Sequence, residues 1–373
     1  MHTILSGGRI GFVVVLWLSL ALPALGAEPH GACSAVMRVM VSRTPGPVRL
    51  VIDGHERVLA PSRKHQIQLD GRSVGPQWEI RPSQEARVAG LSLSGRLVAS
   101  RLGPDLVLVN EVPLEAYVAG AITGEMPTGW STAALRAQAV ASRTFALHQR
   151  AAHRKRGWDV EAGTRSQVYG GRKAAAAARD AARDTQCQVL TASGRPILAA
   201  FHSASGGRTA SAAEVWGREV PYLVSVEVFE EEDSPDTYWR TRIARSTLAR
   251  SLEKAGHALG QLHEAKIEDR TPSGRVRWVR FRGARGEVRL SGREVRQMVG
   301  ESTVRSTLFE LRPEGEDLVF VGSGSGHGVG MSQWGARGLA AKGSSYRDIL
   351  RTFYPGARLS LWNRGQVAAF QKK

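Results

Sequence analysis

Glu125 sits in Gly124-Glu125-Met126-Pro127, between two segments of helical character. A glycine before it permits a left-handed turn that ends a helix. Pro127 holds Met126 in an extended conformation. A carboxylate bracketed in this way is fixed without regular structure, which suits presentation into a cleft. Met126 and Trp130 offer apolar surroundings. Such surroundings raise a carboxyl pKa and keep it protonated near neutrality, as a general acid requires. The competing reading is a surface glutamate that favours the start of the following helix. Cleavage of a glycosidic bond commonly takes a second carboxylate. Glu111, Glu115, Asp159 and Glu161 are the candidates nearest in sequence. One acid is enough where a hydroxyl of the sugar itself attacks and leaves a 1,6-anhydro ring.

Two further clusters carry polar chemistry. Gly324-Ser325-Gly326-His327-Gly328-Val329-Gly330-Met331-Ser332-Gln333-Trp334-Gly335 brings backbone close to a ligand or to another strand. His327 and Gln333 supply hydrogen-bonding groups there, and Trp334 a flat face for stacking on a sugar. Phe201-His202-Ser203-Ala204-Ser205-Gly206-Gly207-Arg208-Thr209 is a strand-end loop rich in small hydroxyls. Serine beside histidine suggests nucleophilic catalysis, but the Gly-x-Ser-x-Gly elbow is missing and no orienting acid is evident. His148, His153 and His202 are potential zinc ligands, yet no His-Glu-x-x-His pair accompanies them. No metal and no cofactor is expected.

These residues need elements to hold them. Ala35–Ser42, Val48–Asp53, His65–Leu69, Gln77–Ile80 and Leu91–Ser94 read as short strands between Gly and Pro turns. Leu106–Val109 is a buried strand. The next helix takes Asn110 as its cap, Pro113 in its first turn and Gly124 as its stop. An Ala-rich helix runs from near Ser131 to about Arg150, and a second covers 173–184. Strands follow at Val189–Thr191 and Ile197–His202. Residues 241–312 read as a mixed insertion, with a helix at Ser246–Ala255 capped by Ser246, a strand at Val276–Arg282 and a helix at Gly292–Gly300. Helices at Ser332–Lys342 and Tyr346–Tyr354 come last. The pattern predicts a mixed α/β fold of the α+β class. It has a β-rich N-terminal part (35–105), a main domain (106–360) that contains the insertion, and a short tail (361–373).

The chain has 373 residues, 42% hydrophobic and 23% charged, which excludes disorder as the default. Residues 1–27 read as a secretory signal: Arg9, an apolar run from Ile10 to Leu25, then small residues at the cleavage region. A retained N-terminal anchor is the alternative, since the run is marginal for a bilayer span of roughly 20 residues. A lipoprotein site at Cys33 lacks the apolar lead that such sites need. Loss of the signal removes only Arg9 from a net charge of +17. An exported basic protein meets anionic wall polymers, lipid and peptide carboxylates, and export argues against nucleic acid. Cys33 and Cys187 are the only cysteines and are free to pair in an oxidising compartment.

Several stretches in order resemble the stage II sporulation protein D / LytB amidase-enhancer family. They are Val112-Pro113-Leu114-Glu115-Ala116-Tyr117-Val118, Gly124-Glu125-Met126-Pro127, Leu135 to Ala146 with Arg143, and Ser166-Gln167-Val168-Tyr169-Gly170-Gly171. The Ser203–Thr209 loop, the His327–Trp334 segment and Phe353-Tyr354-Pro355-Gly356 complete the set. The resemblance implies an extracytoplasmic protein, in periplasm or cell wall, that acts on peptidoglycan. One branch cuts peptide-stripped glycan as a lytic transglycosylase, and its catalytic glutamate corresponds to Glu125. The other enhances a cell-wall amidase, which makes such an amidase a candidate partner. Arg143, Tyr169, His202, Ser203, Ser205, His327, Gln333 and Trp334 are the expected substrate-binding residues. Some members bind zinc through a histidine and cysteines; the matching cysteine pair is missing here. After signal removal, membrane contact is expected to be peripheral or nil.

Overall fold

The computed structural model describes residues 34–363, apart from Gln84 and Arg154. The expected signal segment, Cys33 and the residues beyond 363 lie outside the described residues. The architecture is mixed α+β.

Short strands dominate the first third. Val48–Ile52 is central to a six-stranded sheet that also holds His55–Pro61 and Ala86–Val88. A second, five-stranded sheet is built on Val36–Thr44 and Asp105–Pro113, paired antiparallel from Val36↔Pro113 to Thr44↔Leu106. The latter strand is longer than its apolar run. It has a neighbour on each side, and pairing carries it through Pro113. Asn110 is therefore a fully buried strand residue and not a helix cap. Its side-chain amide donates to the Ser94 and Arg96 carbonyls, at 2.7 and 3.3 Å.

Helices follow in the order α1 (Leu114–Glu125), α2 (Thr132–Ala152), α3 (Ala176–Asp184), α4 (Ala212–Trp216), α5 (Arg245–Lys254), α6 (Gly292–Val299), α7 (Gln333–Ala341) and α8 (Tyr346–Phe353). α1 starts directly from the strand, with Pro113 at its N-cap. Gly124 does not end it. This glycine is an ordinary helical residue, and its missing side chain admits the Val168 carbonyl, which an added Cβ would meet at 2.6 Å. The helix stops because Met126 is extended (φ −134°, ψ 148°) before Pro127. α5 begins one residue earlier than expected, with Ala244 and not Ser246 at its cap. Of the expected strand at 197–202 only Phe201–His202 pairs, parallel to Met331–Ser332.

α2 is the centre of the molecule. Every residue from Ala134 to Leu147 except Arg136 is buried. Leu135, Ala139, Ala146 and Leu147 join the core shared with the N-terminal sheets, α1 and α3. Ala137, Val140 and Ala141 join a second core with Val329, Met331, Ile349 and Phe353. A helix buried all round needs small side chains where neighbours approach, which is the reason for its alanines. A third core, with Trp239, Leu248, Phe281 and Phe320, belongs to strands and helices between Trp239 and Gly322, slightly wider than the expected insertion. The expected tail begins late as well. Leu361 still pairs with Gln188, and Trp362 is buried with its N–H on the Cys187 carbonyl. Cys187 is disulfide-bonded.

Candidate active site

Glu125 is the last residue of α1 and lines a cleft of about 670 Å³. The close approach allowed by Gly124 brings in the 166–168 segment. The backbone N–H of Val168 donates to Glu125 Oε1 at 2.5 Å. Gln333, at the start of α7, donates its side-chain amide to Oε2 at 3.3 Å. Burial raises the Glu125 pKa, and the two hydrogen bonds only partly oppose it. Oε1 is committed to a backbone donor. Oε2, held by a longer bond to an amide that presents an acceptor when turned over, is the oxygen able to carry a proton.

Part of the cleft wall comes from the two glycine and serine loops. Gly324, Gly326, Gly328 and Gly330 all have positive φ, which favours glycine. A Cβ on Gly330 would lie 2.0 Å from the Ala200 carbonyl, and one on Gly326 2.8 Å from His202 Cβ. Gly326 and Gly330 thus let this loop pack against the neighbouring one. His202 is buried, with Nδ1 at 3.2 Å from the Val329 carbonyl and Nε2 without a hydrogen-bond partner. Its pKa is pushed well below the ordinary value by burial, then by His327 and Arg275. His327 Nδ1 accepts from the Val329 N–H at 3.0 Å, and burial pushes its pKa down to about 4, helped by Arg275 and Arg296. Both rings are neutral at pH 7.

Five of the residues expected to form the site line this cleft: Glu125, His202, Ser203, His327 and Gln333. Four do not. Arg143 is fully buried behind α1. Its guanidinium holds the Glu115 carboxylate at 2.5 and 2.8 Å and donates to the Ala182 and Gln188 carbonyls. Tyr169 is buried, stacks on Tyr117 at 5.4 Å and reaches Asn110. Ser205 is buried against Glu231. Trp334 meets Trp130 edge to face at 4.8 Å and lies under the Arg337 guanidinium. These four support the cleft from behind or beside it, and their motifs carry no sign of which side chains face solvent.

The second-carboxylate candidates are engaged elsewhere. Glu111 pairs with Arg96, Glu115 with Arg143, Asp159 with Arg38 and Glu161 with Arg165. Glu301 also lines the cleft but is exposed and pairs with Arg296 at 3.5 Å. Among the described residues no three His, Cys, Asp or Glu side chains converge to hold a metal. A larger cavity of about 1110 Å³ is lined by His148, Thr191, Arg195, Tyr222 and Arg358, and Glu125 is not part of it. Sequence reasoning missed Arg218, Arg296 and Trp216 in the cleft wall, and Glu231 behind it. Their signal is weak because each lies outside the recognisable motifs.

A family model described as "Stage II sporulation protein" matches residues 103–191, and one described as "Domain of unknown function (DUF8618)" matches residues 212–330. Stage II sporulation protein D of Bacillus amyloliquefaciens is 34% identical over 269 residues, 68% of this chain and 75% of that protein. The protein of the same name from Bacillus subtilis is 34% identical over 272 residues, 68% of this chain and 76% of that protein. The amidase enhancer of Bacillus subtilis is 30% identical over 286 residues, 65% of this chain but 40% of the enhancer.

Proposed function

The chain belongs to the stage II sporulation protein D family, and from that premise we propose that it cleaves peptidoglycan glycan strands as a lytic transglycosylase. The observation that carries this is the state of Glu125: one carboxyl in a cleft, pKa raised by burial, one oxygen fixed by a short bond and the other held by a longer one. The other nearby carboxylates are held in ion pairs, which leaves this residue to act alone.

In the first step Glu125 protonates the glycosidic oxygen, and the bond to the anomeric carbon breaks. In the second, the resulting carboxylate takes the proton of the muramic acid 6-hydroxyl as that oxygen closes on the anomeric carbon. The proton count balances, no water is consumed, and the product is a 1,6-anhydro end. Ser203, His202 and His327 offer hydrogen bonds to the sugar ring, and Gln333 is spent on Glu125. The expected setting is outside the cytoplasm, where the strong positive charge that remains after loss of Arg9 draws the protein to anionic wall polymers. The working domain division is a β-rich N-terminal part, a main domain and the module between Trp239 and Gly322.

Peptide-free glycan strands incubated with the purified protein are expected to gain anhydro-muramyl ends. Glu125→Gln lowers that rate by on the order of 10²–10⁴. Full activity in the variant overturns the assignment. The similarity to an amidase enhancer favours one other reading, a protein that binds the wall and stimulates an amidase. It predicts no new ends from this chain alone and faster peptide release when an amidase is added.

A further inference from the structure

The second matched region places an acidic side chain behind the cleft. Glu231 is 5% exposed and has no lysine, arginine or histidine ion-pair partner among the described residues. Its carboxylate instead collects four donors. The Ser205 N–H approaches both oxygens at 3.0 Å, the Ser205 hydroxyl donates at 2.9 Å, the Gly206 N–H at 2.9 Å, and the Ser332 hydroxyl closes on Oε1. Ser205 and Gly206 belong to one signature loop. Ser332 belongs to the other, where it caps α7 by accepting from the Gly335 N–H at 3.1 Å. Trp334 N–H donates to the Ser203 carbonyl at 3.0 Å, so the two loops are joined on both sides of Gln333. Arg275 holds the serine loop from the other side, donating to the Ser205 and Arg208 carbonyls at 2.8 and 3.2 Å.

A buried carboxylate is costly unless its lone pairs are filled, and a filled buried network fixes one arrangement. Resting on the acid role of Glu125, we propose that Glu231 is a positioning residue: it locks the serine loop to the start of α7 and so sets the Gln333 amide against Glu125. Glu231 touches neither the cleft nor Glu125. It acts through Ser332, whose chain neighbour is Gln333. The other charged or titratable groups facing the cleft are Arg165, His202, Arg218, Arg296, Glu301 and His327. None of them hydrogen-bonds Glu125, so Gln333 is the side chain through which Glu231 reaches it.

The test is Glu231→Gln. An amide oxygen accepts about two of the four donors that the carboxylate serves. The variant is expected to fold and to lose on the order of tenfold to a hundredfold in kcat with KM little changed. The Gln333 hydrogen bond lowers the Glu125 pKa, so losing it moves the upper limb of the pH–rate profile to higher pH. Gln333→Ala should give the same displacement, and the double variant little more than either single one. An unmoved limb with additive losses overturns the proposal. If Glu231→Gln fails to fold, Ser332→Ala, which removes one donor and leaves the carboxylate, is read by the same criteria. The carbon-13 titration of the Glu125 carboxyl reports the same contact without turnover. An unchanged titration overturns this proposal, whereas full activity in Glu125→Gln overturns the acid role itself.

Discussion

At Glu125 the needs of chemistry and of folding pull apart. The folded-state pKa lies above the ordinary 4.5, so the native state holds the proton more tightly than the unfolded chain. Stability from this group is therefore intact below pH 4.5 and declines as pH rises through the folded value. Glu125→Gln removes the cost of ionising the buried carboxyl. Its melting temperature at pH 7 is expected to exceed that of the native protein, with the gap closing below pH 4.5. Equal melting temperatures across that range would contradict the burial. His327 has the opposite slope. Its pKa falls from 6.5 to about 4, so the stability tied to its neutral ring is complete above pH 6.5 and drains away as pH falls towards 4. His327→Gln should flatten that part of the acid unfolding curve, with His202 keeping some of it. Glu125 was legible because Pro127 and the apolar neighbours mark it locally. The part of Gly124 was not, since its contact with Val168 lies 44 residues along the chain.

At the level of elements, α1 and α2 hold the site by close contact. A methyl on Gly124 would strike the Val168 carbonyl whose own residue hydrogen-bonds Glu125. Gly124→Ala is expected to cost about 1–3 kcal/mol by overpacking and to lower activity further by displacing Val168. Arg143 ties α2 to Glu115 on α1 and to the Ala182 carbonyl in α3. Arg143→Ala is expected to cost about 3–5 kcal/mol, as loss of one partner of a buried ion pair does, with no change in KM for the residual folded protein. A raised KM at unchanged stability would return Arg143 to substrate binding. Periodicity located α2 and its alanines within a residue or two at either end. It gave no hint that Arg143 faces inward, because the partner that accommodates it, Glu115, sits on another helix. The strand through Pro113 escaped notice for a related reason. Pairing on both sides, not local composition, extends it past the apolar run.

For the whole molecule, the net charge of +17 is spread over many surface arginines, a number of them in exposed ion pairs that contribute little to stability. Its larger effect is on encounter with anionic material. Binding to purified wall sacculi is expected to weaken steadily as salt is raised from tens of millimolar to about 1 M, where the Debye length shrinks to about 3 Å. Salt-independent binding would shift the weight to stacking and hydrogen bonds. The fold class was readable from turn residues and the spacing of apolar runs. The sharing of α2 between two cores was not, since it depends on contacts between distant segments.

The bond between Gln333 and Glu125 spans 208 residues of chain, and that distance is also an interval of time. Ribosomes release the N-terminal sheets and α1 first, and those parts can begin to fold as they emerge. Until the chain reaches Gln333, Glu125 has neither its amide partner nor the cleft wall that Ser325, Gly326 and His327 supply. A nascent or truncated chain carries the acid without the enclosure. The enclosure of Glu125 therefore comes late, only when the segment that carries Gln333 has been made and packed.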